Sequence, residues 1–156
     1  MNYSIIGSGN IGSAVARQFA RKSIEVAIAN TRGPGSLAAL CKELGHHITP
    51  QTLEAALRAD TVILAAPFSA VSVIARAAGN WMGKTVIDAT NAIDFPAYTP
   101  TDLGGRPSSE VVAEHVRGEK FGFAPIILGK LAEGGLLQQY GGPLTIQNLV
   151  KQDSIR

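Results

Sequence analysis

The sequence predicts an α/β domain of the Rossmann type, three-layered and doubly wound around a mostly parallel sheet. Three observations carry that expectation. Short apolar runs bounded by turn residues alternate with segments of helical period. The first run passes through Gly7, Gly9 and Gly12 directly into such a helical segment. The run at 61–66 is almost continuously apolar, as expected of a strand buried on both faces, and Thr85 to Asp88 is read as a further buried strand around Val86 and Ile87.

The first strand is Tyr3 to Ile6. After it, Ile11, Ala14, Val15 and Phe19 recur at helical spacing, and Ser13, Arg17 and Arg21 fall on the other face. The glycines therefore stand where a strand turns into a helix. Gly7 permits the tight turn, Gly9 lets the backbone approach a pyrophosphate, and Gly12 lets the helix pack closely on the strand. The helix N-terminus adds unpaired N–H groups and the positive end of its dipole. Gly7, Ser8, Gly9, Asn10, Ile11 and Gly12 are the expected pyrophosphate cradle.

Ile24 to Ala29 is the second strand, and its end bears on the choice of cofactor. Sites for NAD place Asp or Glu there to hold the ribose 2′-hydroxyl. This chain has Asn30, Thr31 and Arg32 instead, with no carboxylate. Arg32 can pair with a 2′-phosphate, and Asn30 or Thr31 can donate further hydrogen bonds. The expected cofactor is NADP. The alternative for Arg32 is a solvated loop charge.

Gly33 to Ser36 is a turn, with Ser36 expected to cap a helix whose face is Leu37, Leu40, Cys41 and Leu44 and whose end is Gly45. His46-His47-Ile48 is read as a short third strand. Its paired histidines have no carboxylate or cysteine at ligand spacing, and strand neighbours point to opposite faces, so no metal site is expected. Thr52 is expected to cap a brief helix, Leu53 to Ala59. Thr61 to Ala66 is the next buried strand. Ligands lie at the carboxyl ends of strands in open parallel sheets, which puts Ala65, Ala66 and Pro67 in the groove and Phe68 at its edge. A helix follows from Ser69 to Ala78, with Val71, Ile74 and Ala78 inward. Thr85 to Asp88 is read as a further buried strand. Asn91, just beyond its end, is a candidate for the nicotinamide ribose or carboxamide, and Asp88 is read as fixing the loop. A long loop runs to Pro107. The helix opened by Ser108-Ser109-Glu110 offers Val111, Val112, His115 and Val116 for packing.

The bulk properties exclude several classes. A chain of 156 residues, 46% hydrophobic and 17% charged, suits a globular domain with a substantial core. A net charge of +2 without a long basic run leaves no electrostatic footprint for nucleic acid. No stretch approaches the ~20 apolar residues of a membrane span, and the short N-terminal apolar run lacks the basic flank of a signal peptide. Cys41 is the only cysteine, so no intrachain disulfide can form, which fits a reducing, cytoplasmic setting. A small packed residue is the simpler role for it than a catalytic thiol.

Taken together, four stretches resemble the NADP-dependent coenzyme F420 oxidoreductases and related small dinucleotide-binding reductases. They are Ile5 to Ser13, Ala29 to Leu37, Val86 to Asn91 and Asp102 to Glu114, and a fifth match lies in the tail, Leu131 to Leu144. The resemblance implies a Rossmann domain holding NADP through the glycine turn and the Asn-x-Arg segment, with hydride transfer near Ala66, Pro67 and Asn91. There is one departure. In that family a further strand–helix–strand unit, on the order of 30 residues, precedes the Gly-Phe-Ala-Pro stretch. Here Gly118-Glu119-Lys120 runs straight into Phe121. The family carries substrate-side and sheet-completing residues in that unit.

The expected organisation is an NADP-binding domain at 1–128, completed by a strand at Ile126 to Leu128. A tail at 129–156 is expected to pack on the domain or on a second subunit, as in a homodimer. The expected activity is hydride transfer between NADP(H) and a small-molecule acceptor or donor, F420-like, flavin or similar. The cofactor supplies that chemistry, so few catalytic side chains are needed and no acid or base is assigned. The alternative is a dinucleotide-binding sensor or subunit that lacks turnover.

Overall fold

The computed structural model describes residues 2–94 and 96–117. Five parallel strands form the main sheet: β1 (Tyr3–Ile6), β2 (Val26–Ala29), β3 (Ile48–Pro50), β4 (Thr61–Leu64) and β5 (Thr85–Asp88), in the order β3-β2-β1-β4-β5. Five α-helices are described: α1 (Asn10–Arg21), α2 (Ala38–Leu44), α3 (Leu53–Ala56), α4 (Val71–Ala78) and α5 (Ser108–Arg117). Short 3-10 turns at Pro34–Leu37 and Phe68–Ala70 lead into α2 and α4.

Side chains alternate across the sheet and so build two cores. Ile5, Val26, Ile28, Ile48 and Ile63 face α1 and α2, where Ala16 and Leu37 close over them. Ile6, Ala29, Val62 and Leu64 face the other way, against Ala56 of α3, Val71 and Ile74 of α4, Val112 and Val116 of α5, and Trp81. The expected three-layer arrangement follows. β-branched residues suit these strands because they pack well on a pleated surface. Ile5 and Ile28 are both 0% exposed, and burying each such side chain stabilises by about 1.5–3 kcal/mol.

The chain enters at the middle of the sheet, winds outward to β3, then crosses back to place β4 on the free side of β1. This reversal opens a crevice at the carboxyl ends of β1 and β4, which is where such folds take ligands.

Several elements differ from the sequence reading. β2 begins at Val26 rather than Ile24, because the chain turns at Lys22-Ser23 with Ser23 at φ 54°, and Ile24 is left exposed. His46 and His47 lie in a turn, not a strand, with ring centroids 4.0 Å apart and planes tilted by 41°; β3 is Ile48–Pro50. α3 is a single turn that stops at Ala56, three residues short of Ala59. Ser36 does not cap α2: its hydroxyl donates to Gly33 O at 2.7 Å. The strand β5 is not buried but forms the sheet's edge among the described residues. Ile87 is 48% exposed there, although its row neighbours Ile63, Ile5 and Ile28 are buried. The helices on that face, α1 and α2, pack over β1 to β3 and not over β5. The loop after Asn91 holds a small antiparallel pair, β6 (Ile93–Asp94) and β7 (Thr99–Pro100). On α5, His115 is exposed, while Val112, Ala113 and Val116 are buried. Thr52 does cap α3, accepting from Ala55 N–H at 3.2 Å, and Gly45 and Gly79 end α2 and α4 with positive φ. The expected strand at Ile126 to Leu128, the 128/129 boundary and the tail lie outside the described residues.

Candidate functional site

The site begins with the glycine turn. Gly7 has φ 116°, and its N–H donates to Ala29 O at 2.8 Å. A Cβ there would stand 2.2 Å from Ala65 O, so only glycine fits against the end of β4. A Cβ on Gly12 would stand 2.0 Å from Gly7 O, which explains how α1 sits so close on the turn. Gly9 differs from both: nothing lies within 4 Å of where its Cβ would be, and its φ of −73° suits any residue. The missing side chain at Gly9 leaves open space beside the start of α1.

That helix end is prepared for an anion. Ser13 N–H makes the first bond of α1, to Gly9 O at 2.9 Å, so the N–H groups of Asn10, Ile11 and Gly12 precede the intrahelical ladder. No side chain caps the end and no acidic residue lies in the first turn. The positive pole of α1 thus faces the crevice unneutralised. Ser13 Oγ donates to Ser8 O at 3.1 Å and ties the turn to the helix.

A cavity of about 410 Å³ opens on this turn, within the roughly 300–1,000 Å³ common for small-molecule sites. Three strand ends contribute to it: Ile6 to Gly9 after β1, Asn30 to Arg32 after β2, and Ala65 to Pro67 after β4. Among the described residues its lining holds one cation, Arg32, and no carboxylate. Arg32 Nη2 donates to Ser8 Oγ at 3.4 Å, which brings the guanidinium to the glycine turn across 24 residues of sequence. The expected site residues Gly7, Ser8, Gly9, Asn30, Thr31, Arg32, Ala65, Ala66 and Pro67 therefore share one crevice. Asn10, Ile11 and Gly12 stand at its edge as the first turn of α1. Asn91 does not line this cavity; it is exposed beyond β5.

Sequence reading missed five contributors, one of them Ile6, the last residue of β1. Leu53, Ala70 and Ile74 form an apolar wall, and Ser36 joins the polar side through Asn30. Leu53 follows the Thr52 cap at the carboxyl edge of the sheet, and that position alone marks it as a groove residue. Ser36 carries no such signal, because its role depends on the turn through Gly33-Pro34-Gly35 bringing it back to Asn30.

The groups around the site offer little acid–base chemistry. Among the described residues Arg32 is the only titratable side chain in the lining. Asp88 is spent on its own turn, where Oδ1 accepts from Thr90 N–H at 2.9 Å and Thr90 Oγ1 at 2.7 Å. Burial pushes the Cys41 thiol up, and the side chain packs against the core under α1 and α2. No cluster of three His, Cys, Asp or Glu suited to a metal occurs among the described residues. No described helix is long and apolar enough to cross a membrane.

Comparison with known proteins adds the following. Residues 2–92 match the family model described as NADP oxidoreductase, coenzyme F420-dependent. The crystal structure of a hypothetical protein from Sinorhizobium meliloti is 38% identical with a TM-score of 0.74, over 97% of this chain and 96% of that one. A provisionally assigned F420-dependent NADP reductase from Arthrobacter sp. FB24 is 24% identical with a TM-score of 0.63, over 74% of this chain and 58% of that one. A reductive aminase from Aspergillus terreus, solved with NADPH and ethyl levulinate, is 24% identical with a TM-score of 0.55, over 74% of this chain and 36% of that one. The last two likenesses speak to the fold. The chain thus spans nearly all of the S. meliloti protein but about half or less of these reductases. No curated protein shows significant similarity to the chain.

Proposed function

We propose that this chain, which belongs to the family of coenzyme F420-dependent NADP oxidoreductases, binds NADP(H) in the crevice between β1 and β4 and exchanges hydride between it and a small-molecule acceptor or donor. One observation carries the cofactor choice: Arg32 reaches Ser8 at the glycine turn, in a cavity lined by no carboxylate among the described residues. A carboxylate after β2 would repel a 2′-phosphate, and a guanidinium attracts it.

The residues present fit the cofactor. Open space at Gly9 and the first N–H groups of α1 receive the pyrophosphate. Arg32 and Thr31 receive the 2′-phosphate. Leu53, Ala70 and Ile74 offer the apolar surface that an adenine ring needs. Ala65, Ala66 and Pro67 line the nicotinamide side, where small side chains leave room, and Asn91 stands by as a donor from beyond β5. When bound, NADPH supplies hydride from its nicotinamide ring; the chain's part is to bind, orient and exclude water. No protein acid or base is assigned; among the described residues the lining holds none besides Arg32.

A second reading is a dinucleotide-binding module without turnover. It draws support from that same lack of acid–base groups and from the chain's short span against the larger reductases. The S. meliloti protein of matching extent argues that the short form is not an isolated loss. In the proposal the tail at 129–156 packs on the domain or on a partner, a homodimer covers the shortened side, and the setting is the reducing cytoplasm. A monomer in sedimentation would count against the dimer. To separate the two readings, NADPH oxidation is followed with F420, flavin, quinone and ferric acceptors. Oxidation above background with one of them is the expected result. Tight NADPH binding with no oxidation by any acceptor would leave only the module.

A further inference from the structure

Every polar atom of the Asn30 side chain has a protein partner. Its Nδ2 donates to Ser8 Oγ at 2.8 Å and to Ser36 Oγ at 3.0 Å, and its Oδ1 accepts from the Arg32 backbone N–H at 2.9 Å. A backbone N–H can only donate, so the Arg32 contact fixes which end of the amide is oxygen. Ser36 has one proton and two acceptors in reach, Gly33 O at 2.7 Å and Asn30 Oδ1 at 3.1 Å. The shorter contact takes the proton and leaves Ser36 Oγ to accept from Asn30. Ser8 Oγ then accepts twice, from Asn30 and from Arg32 Nη2. A hydroxyl has two acceptor lone pairs and one proton. Both lone pairs of Ser8 are in use, and its O–H has no acceptor among the described residues.

We infer that Asn30 and Ser36 are positioning residues, which aim the Ser8 hydroxyl at a phosphate oxygen and hold the Arg32 backbone, so that one hydrogen-bonded unit serves both the pyrophosphate and the 2′-phosphate. Asn30 has no free donor to offer the cofactor itself. Ser36, six residues on and exposed, acts only through Asn30. This inference rests on the NADP(H) reading above, and it adds that the choice between NADP and NAD depends on a residue that touches neither.

The test is titration with NADPH and NADH of the parent, Ser36→Ala, Ser36→Thr, Arg32→Ala and the Ser36→Ala/Arg32→Ala pair, with Tm measured for each. Ser36→Ala is expected to lower the NADPH-to-NADH affinity ratio about tenfold, the equivalent of one hydrogen bond. Ser36→Thr keeps a hydroxyl and restores the ratio. In the Arg32→Ala background, Ser36→Ala changes the ratio no further, because its effect runs through Arg32. A Ser36→Ala protein with lowered Tm and an unchanged ratio overturns the inference and leaves the NADP reading intact when Arg32→Ala still collapses the ratio. Additive losses in the pair overturn it as well. A parent that binds both dinucleotides equally overturns both.

Discussion

A Cβ on Gly12 would stand 2.0 Å from Gly7 O, whereas one on Gly9 would meet nothing within 4 Å. The two glycines should therefore fail differently when changed. Gly12→Ala is expected to cost about 3 kcal/mol or more of stability, since backbone must move to admit the methyl group. Gly9→Ala should keep the parent's Tm and weaken NADPH binding, because the methyl group enters the phosphate's space; thermal unfolding beside titration checks both. Ser4 is a separate matter. It is 0% exposed and its Oγ has no hydrogen-bond partner. Ser4→Ala removes that unmet group and is expected to raise stability by about 1 kcal/mol, read as a higher Tm. The steric demands at Gly7 and Gly12 were legible from spacing because each follows from a strand running into a helix. Arg32 was legible as a charge where a carboxylate is usual. The bonds joining Ser8, Asn30 and Ser36 were not, since they link residues 22 and 6 positions apart through rotamers that no periodicity encodes.

At the scale of elements, α3 is the informative case. It is one turn long, capped by Thr52, and it presents Leu53 to the cavity. So short a helix owes its form to its cap and its packing rather than to propensity. Thr52→Ala should cost about 0.5–2 kcal/mol in unfolding experiments. Leu53→Ala should weaken NADPH and NADH alike, because an apolar wall does not sense the 2′-phosphate; calorimetric titration with each dinucleotide checks this. The misjudged strand, β5, teaches the opposite lesson. Thr85 to Ile87 reads as buried because composition reports affinity for a core, not whether a neighbour covers it. Ile63 and Ile87 are adjacent in register, yet one is 5% exposed and the other 48%. Position in the sheet, set by chain topology, makes that difference.

At the scale of the molecule, the order β3-β2-β1-β4-β5 puts the reversal beside β1, directly above the glycine turn. The doubly wound fold was legible from the alternation of strands and helices, and the crevice follows from it. The opening at β1 and β4 gathers three strand ends that are far apart in sequence, and this convergence brings the glycine turn and Arg32 to one cavity. Length acts at the same scale. The chain spans 58% of the Arthrobacter reductase, whose fold it shares, but 96% of the S. meliloti protein. The proposed cofactor-binding residues all lie within the described part, so NADPH affinity is measurable before the acceptor is identified. The central claim is that Arg32 selects NADP. Titration of the parent and of Arg32→Ala with NADPH and NADH tests it most directly. The parent should favour NADPH, and Arg32→Ala should narrow the gap by about 1–3 kcal/mol, the worth of a charge-assisted hydrogen bond. Equal affinities in the parent, or a gap untouched by Arg32→Ala, would contradict it.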